Sequence, residues 1–202
     1  MEKVIKVTPS RPMSLAALVD ADWKQLHSFA GQPVPCVGLV RKMLSPRYAP
    51  VAIVRLAQRC HAKGYRRLAK IFSFINVVIF GLEVPARLEI GPGLVIPHGI
   101  GTIIGAGYIG SNVTIYQQVT LGAKIADFDF DISQRPHIED NVMITAGAKI
   151  IGPVRIGQGS IIGANAVVLT DVPQLHLAIG VPAQIRPLQR NTKSNNELAA
   201  HR

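Results

Sequence analysis

Two cysteines, one tryptophan and a charged fraction of 17% are what this 202-residue chain has little of. Cys36 and Cys60 are too few for a disulfide framework, so the fold must rest on a buried core, and a reducing compartment is expected. Apolar residues make up 48% of the chain, which with so little charge excludes a disordered protein. The stretch Ile71–Phe80 is nearly apolar but, at ten residues, too short to span a bilayer. The first residues, MEKVIKVTPSRPM, carry no apolar run of signal-peptide length, so a cytoplasmic location is expected. The aromatics and glycines of an RNA-binding sheet are missing, and no nucleic-acid partner is expected.

Acidic residues are scarce in one part only. Residues 1–87 hold 14 Lys/Arg against 4 Asp/Glu, whereas residues 88–202 hold 8 of each. The net charge of +10 therefore belongs to the N-terminal part. Such a segment attracts phosphate-bearing partners, such as an anionic membrane surface or a phosphorylated small molecule, or it simply keeps the chain soluble. Peripheral contact with the inner face of a membrane is one expectation it raises.

That part reads as helical. In SLAALVDADWKQLHSF, Leu15, Leu18, Val19, Trp23 and Leu26 share one face behind Ser14 as N-cap. Pro33 and Pro35 break the pattern. A second helix, APVAIVRLAQRCHAKG, ends at Gly64 and places Arg55, Arg59 and Lys63 on a solvated stripe. A third, YRRLAKIFSFINVVIF, is expected to be buried or interfacial. The division expected is an α-helical region at 1–82, a repeat domain at 83–187 and a polar, disordered tail at 188–202.

The repeat has a period of six. Ile138, Ile144, Ile150, Ile156, Ile162 and Val168 stand six apart, Ile103, Ile109, Ile115 and Leu121 form an earlier register, and Ile90 and Ile96 a shorter one. A helix of 3.6 residues per turn cannot produce this period. A triangular parallel β-helix does, with each hexad giving one flat face and an inward apolar anchor. Two interruptions stand out. Ile96 to Ile103 is seven residues and contains His98; Leu121 to Ile138 is seventeen and must leave the coil as a loop, 123–137. Loops thrown from a rigid repeat commonly carry binding residues. On spacing alone, a histidine at a repeat corner is more often structural than chemical.

The stretches IGPGLVIPHGIGTIIG, IGSNVTIYQQVTLG, PHIEDNVMITAGAKIIGPVRIGQGSIIGANAVVLTDVP and IGVPAQI resemble serine acetyltransferase, in the hexapeptide-repeat acyltransferase superfamily. The resemblance covers roughly two-thirds of the chain, in order, behind helices. It implies a mainly β fold, a left-handed parallel β-helix, an acetyl-CoA-dependent O-acetyltransferase, and a homotrimer or dimer of trimers with sites between subunits. It places His98 as general base, a task suited to an imidazole titrating near neutral pH. It places Glu83, fifteen residues upstream, as the carboxylate that orients His98, with Glu89 a competitor. Along the coil it puts CoA against the small residues Ala146, Gly147 and Ala164, with Lys149 reaching phosphates.

The departures concern the acceptor. The family's Asp-Arg-His-Pro-Lys-Ile segment is SQRPHI here, so Arg135 and His137 take the acceptor positions; Pro97 replaces the aspartate before the histidine. The loop is about three residues longer and the helical part shorter than in the family. Related enzymes that acetylate sugars in exopolysaccharide assembly share this shorter layout and a PHI segment. The expected acceptor is accordingly a sugar hydroxyl of a polysaccharide precursor, with L-serine as the alternative. A zinc site from His98, His137 and His176 is disfavoured because the three fall at different places in the coil, so no metal is expected. The stretch DFDFD, 127–131, lacks the glycine and terminal glutamate of a calcium loop and reads as solvated. A non-catalytic scaffold is the remaining alternative.

Overall fold

The computed structural model describes residues 13–125 and 129–188. Four helices come first: α1 (Leu15–Phe29), α2 (Leu39–Met43), α3 (Ala49–Ala62) and α4 (Arg66–Phe80). Ser14 caps α1 by accepting from the Ala17 N–H. Gly81, with φ of 62°, takes the left-handed conformation that stops α4 and turns the chain directly into the first short strand. Among the described residues no helix is long and apolar enough to cross a membrane.

From Leu82 the chain winds into a left-handed parallel β-helix of two- to four-residue strands. Three parallel sheets form the faces of a triangular prism. On the first face Ile104, Leu121, Ile150 and Val168 stack in register. The second stacks Ile90, Ile109, Ile138 and Ile156. The third stacks Ile115, Ile144, Ile162 and Ala178. Nearly all of these side chains are fully buried, so the six-residue period is the period at which the chain returns to the prism axis. An antiparallel hairpin, His176–Ile179 against Gln184–Pro187, closes the far end.

Two expectations are corrected. Ile103 is not an anchor: it is 43% exposed, while Ile104 is fully buried and pairs with Leu121. The turn carrying His98 is thus two residues long of register, and the next is one short. Arg55 is not on a solvated stripe but is 1% exposed, forming a bidentate ion pair with Asp22, itself fully buried. Asp22 also accepts from the Tyr48 hydroxyl and from the Gly93 and Leu94 N–H groups, while Arg55 donates to the carbonyls of Ile90 and Gly91. Burial, and after it the Asp22 carboxylate, push the Tyr48 hydroxyl far above its usual range. This network fastens α1 and α3 to the first coil. Helix α4, expected to be buried or interfacial, is not buried along its apolar run in the single chain. It buries Ala69 and Asn76 and leaves Ile71, Phe74, Val78 and Ile79 exposed on the single chain.

Residues 189–202 lie outside the described residues, as do residues 126–128, which include the first two of DFDFD.

Candidate active site

His98 lies on the edge where the third face gives way to the first. Counting from the inward anchors, it is the second residue after Ile96. The second residue after Ile115 is Gln117, after Ile144 is Ala146, and after Ile162 is Ala164. Backbone hydrogen bonds join these turns into a ladder: Gln118 N–H to the Ile100 carbonyl (3.1 Å), Gly147 N–H to Gln117 (3.0 Å) and Asn165 N–H to Ala146 (2.9 Å). One edge therefore carries His98 at one end and, below it, Ala146, Gly147 and Ala164. Lys149 stands beside the ladder, its ammonium donating to the Gln118 carbonyl.

The local conformation explains the residue choice. The third place after each anchor has positive φ at Gln118 (60°), Gly147 (74°) and Asn165 (56°). Asn and Gly tolerate this region and other residues rarely do. At Gly147 a Cβ would sit 2.0 Å from the Asn165 Oδ1, so the strip is held bare and its backbone stays approachable. A long, flexible ligand with polar groups can lie along such an edge, contacted by peptide groups rather than by side chains.

His98 is exposed and borders a depression of about 350 Å³ lined also by Arg47, Pro50, Phe80, Pro97 and Ile100. Glu83 is exposed on the first strand, opposite Ile103, just across from the His98 turn, whose Gly99 carbonyl shares the Thr102 N–H with that of Gly81. Glu83 and His98 share no hydrogen bond among the described residues.

Arg135 and His137 are elsewhere. The loop containing Arg135 leaves from the edge between the first and second faces. Its guanidinium donates to the Gly105 carbonyl (3.0 Å) and lies 3.9 Å above the Phe130 ring. His137 is on the second face, stacked on Tyr108 at 4.7 Å. Loss of water pushes its imidazole below the usual range; the Arg155 guanidinium adds to this and Glu139 opposes it. At Glu139, desolvation alone would raise the carboxyl, but hydrogen bonds from Arg155 and the Gln158 N–H hold it below its usual range. His98, His137 and His176 occupy an edge, the second face and the closing hairpin, so they do not converge.

Two residues in this region escape the sequence reading. Gln117 sits between His98 and Ala146 in the ladder, and its Oε1 is buried with no hydrogen-bond partner among the described residues. Counting two places from each anchor would have found it. Arg47 shares the His98 depression from the turn before α3, and no local pattern signals that.

The pattern described as "Bacterial transferase hexapeptide (six repeats)" matches residues 135–170. Serine acetyltransferase of Bacillus subtilis is 36% identical over 132 residues, 65% of this chain and 59% of that one. The enzyme of Helicobacter pylori is 37% identical over 143 residues, 70% of this chain and 82% of that one. A solved serine acetyltransferase in complex with CoA is similar with a TM-score of 0.70 at 28% identity, covering 85% of this chain and 68% of that one. The chain thus spans about 59% of the Bacillus relative and most of the Helicobacter one. With four-fifths of the latter matched at this identity and the same coil in the solved neighbour, the chain belongs to the serine acetyltransferase family of hexapeptide-repeat transferases.

Proposed function

We propose that this protein transfers an acetyl group from acetyl-CoA to the hydroxyl of L-serine. The observation that carries the reading is the single edge holding His98 in line with the bare turns of Ala146, Gly147 and Ala164. Acetyl-CoA, when bound, supplies the acetyl thioester; the residues that would hold it are the backbone of those turns and Lys149. His98 takes the proton of the acceptor hydroxyl as that oxygen bonds to the acetyl carbon, the carbon–sulfur bond of the thioester breaks, and the imidazolium returns the proton to the departing CoA thiolate. Glu83, across from it, is the carboxylate available to orient the imidazole.

The acceptor expected first, a sugar, gives way to serine. The relatives matched over most of their fold are serine acetyltransferases. Arg47 supports the choice, since a guanidinium in the His98 depression suits an acceptor carboxylate that a sugar lacks. The loop bearing Arg135 and the face bearing His137 lie at other edges of the prism, so they act on the neighbour's His98 in a homotrimer.

The test is release of free thiol from acetyl-CoA in the presence of L-serine or of sugar acceptors. Serine-dependent turnover is expected, falling roughly 10²–10⁴-fold in His98→Ala. Turnover with a sugar and none with serine would return the assignment to the sugar reading.

A further inference from the structure

A second concavity, of about 610 Å³, lies between the helices and the first coil, at the edge away from His98. It is lined by His61 of α3, by Arg66, Lys70 and Ser73 of α4, and by Arg87 of the coil, with no carboxylate in its lining among the described residues. Arg66 and Lys70 are four apart on one helix, where like charges repel. His61, Arg66 and Lys70 have no side-chain hydrogen bond or ion pair among the described residues. Arg87 donates to the Asp129 carbonyl, lies 4.8 Å from the Phe130 ring and makes no ion pair among the described residues. Three Lys/Arg side chains and one imidazole thus line one cleft, those of Arg66 and Lys70 with no hydrogen bond among the described residues, in the part of the chain that carries the whole net charge.

We propose that this cleft binds the phosphate or pyrophosphate group of a small organic ligand. The volume lies within the range of small-molecule sites, whereas a membrane surface would need a flat or convex basic patch. Arg66 and Arg87 are the fork-shaped donors, Lys70 adds a point charge, and the Ser73 hydroxyl is within the same wall. Because Arg87 also holds the 123–137 loop through Asp129 and Phe130, an anion in the cleft is felt at that loop. The inference does not depend on the acetyl acceptor.

Inorganic pyrophosphate titrated calorimetrically into the full chain at low salt tests it. Three proteins are compared: wild type, the double variant Arg66→Gln/Lys70→Gln, and Lys63→Gln, an exposed cation outside the cleft. The wild type and Lys63→Gln are expected to bind alike. The double variant should bind at least about 100-fold more weakly, about tenfold for each charged donor removed. Its thermal midpoint should be unchanged, since both side chains are exposed. Equal binding by the double variant, an equal loss in Lys63→Gln, or no binding by the wild type would overturn the proposal. So would wild-type binding to phosphatidylglycerol vesicles without binding to pyrophosphate, which would make the region a membrane contact instead.

Discussion

Asp22 is the residue on which the joint between helices and β-helix turns. One carboxylate accepts from Arg55 twice, from Tyr48 and from two backbone N–H groups of the first coil. All of its lone pairs are used, which is the condition under which a buried ion pair is tolerated. Replacing Asp22 by Ala leaves a guanidinium buried and unpaired. The expected cost is about 3–5 kcal/mol of unfolding free energy, measured from urea melts. The paired replacement Asp22→Leu/Arg55→Met should recover most of the loss, because it removes the buried charge together with its partner. A loss below about 1 kcal/mol in the single variant would mean that the network is solvated and structurally minor. None of this was legible in the sequence. A helical wheel places Arg55 with Arg59 and Lys63, and only the fold brings Asp22, 33 residues earlier, to meet it.

At the scale of the element, the six-residue period was legible because every return to the axis demands an apolar side chain, whatever the turn between. The turn itself was half legible. The anchors and their spacing were evident, but not that on the second and third faces positive φ falls three places after the anchor, at Gly93, Asn112, Gln118, Asn141, Gly147, Gly159 and Asn165. Asn141→Ala, in an exposed turn with φ of 58°, should therefore cost about 1–2 kcal/mol, the penalty of the left-handed region for a residue with a Cβ. Asn141→Gly should cost only a few tenths, because the side chain makes just a 3.3 Å exposed bond with Asn112. Thermal midpoints of the two variants check the difference; equal midpoints would place the cost in the lost bond instead. The slip at His98 was visible, yet its register was misread, since Thr102-Ile103-Ile104 offers two isoleucines and only pairing with the coil below selects Ile104. The apolar run of α4 was likewise visible while its burial was not, because burial depends on what covers Phe74 and Val78.

For the whole molecule, the residues tied by resemblance to one reaction fall on two edges of one prism. His98 and the bare turns share the edge between the third and first faces, and the loop with Arg135 leaves from the edge between the first and second. A rigid β-helix cannot fold one edge onto another, so a site using both must be completed by a neighbouring copy, as in the homotrimer proposed above. Complementation tests this without any knowledge of the interface. His98→Ala and Arg135→Ala chains are each expected to be nearly inactive alone. Mixed during refolding in equal amounts, they should regain about a quarter of wild-type turnover, since in a cyclic assembly one junction in four pairs an intact His98 with a neighbour's intact loop. Turnover that stays at the level of the separate variants would place both residues in one subunit's own site. A mass of one chain by sedimentation would sink the shared site outright, because the exposed apolar residues of α4 and the His98 edge would then have no neighbour to meet.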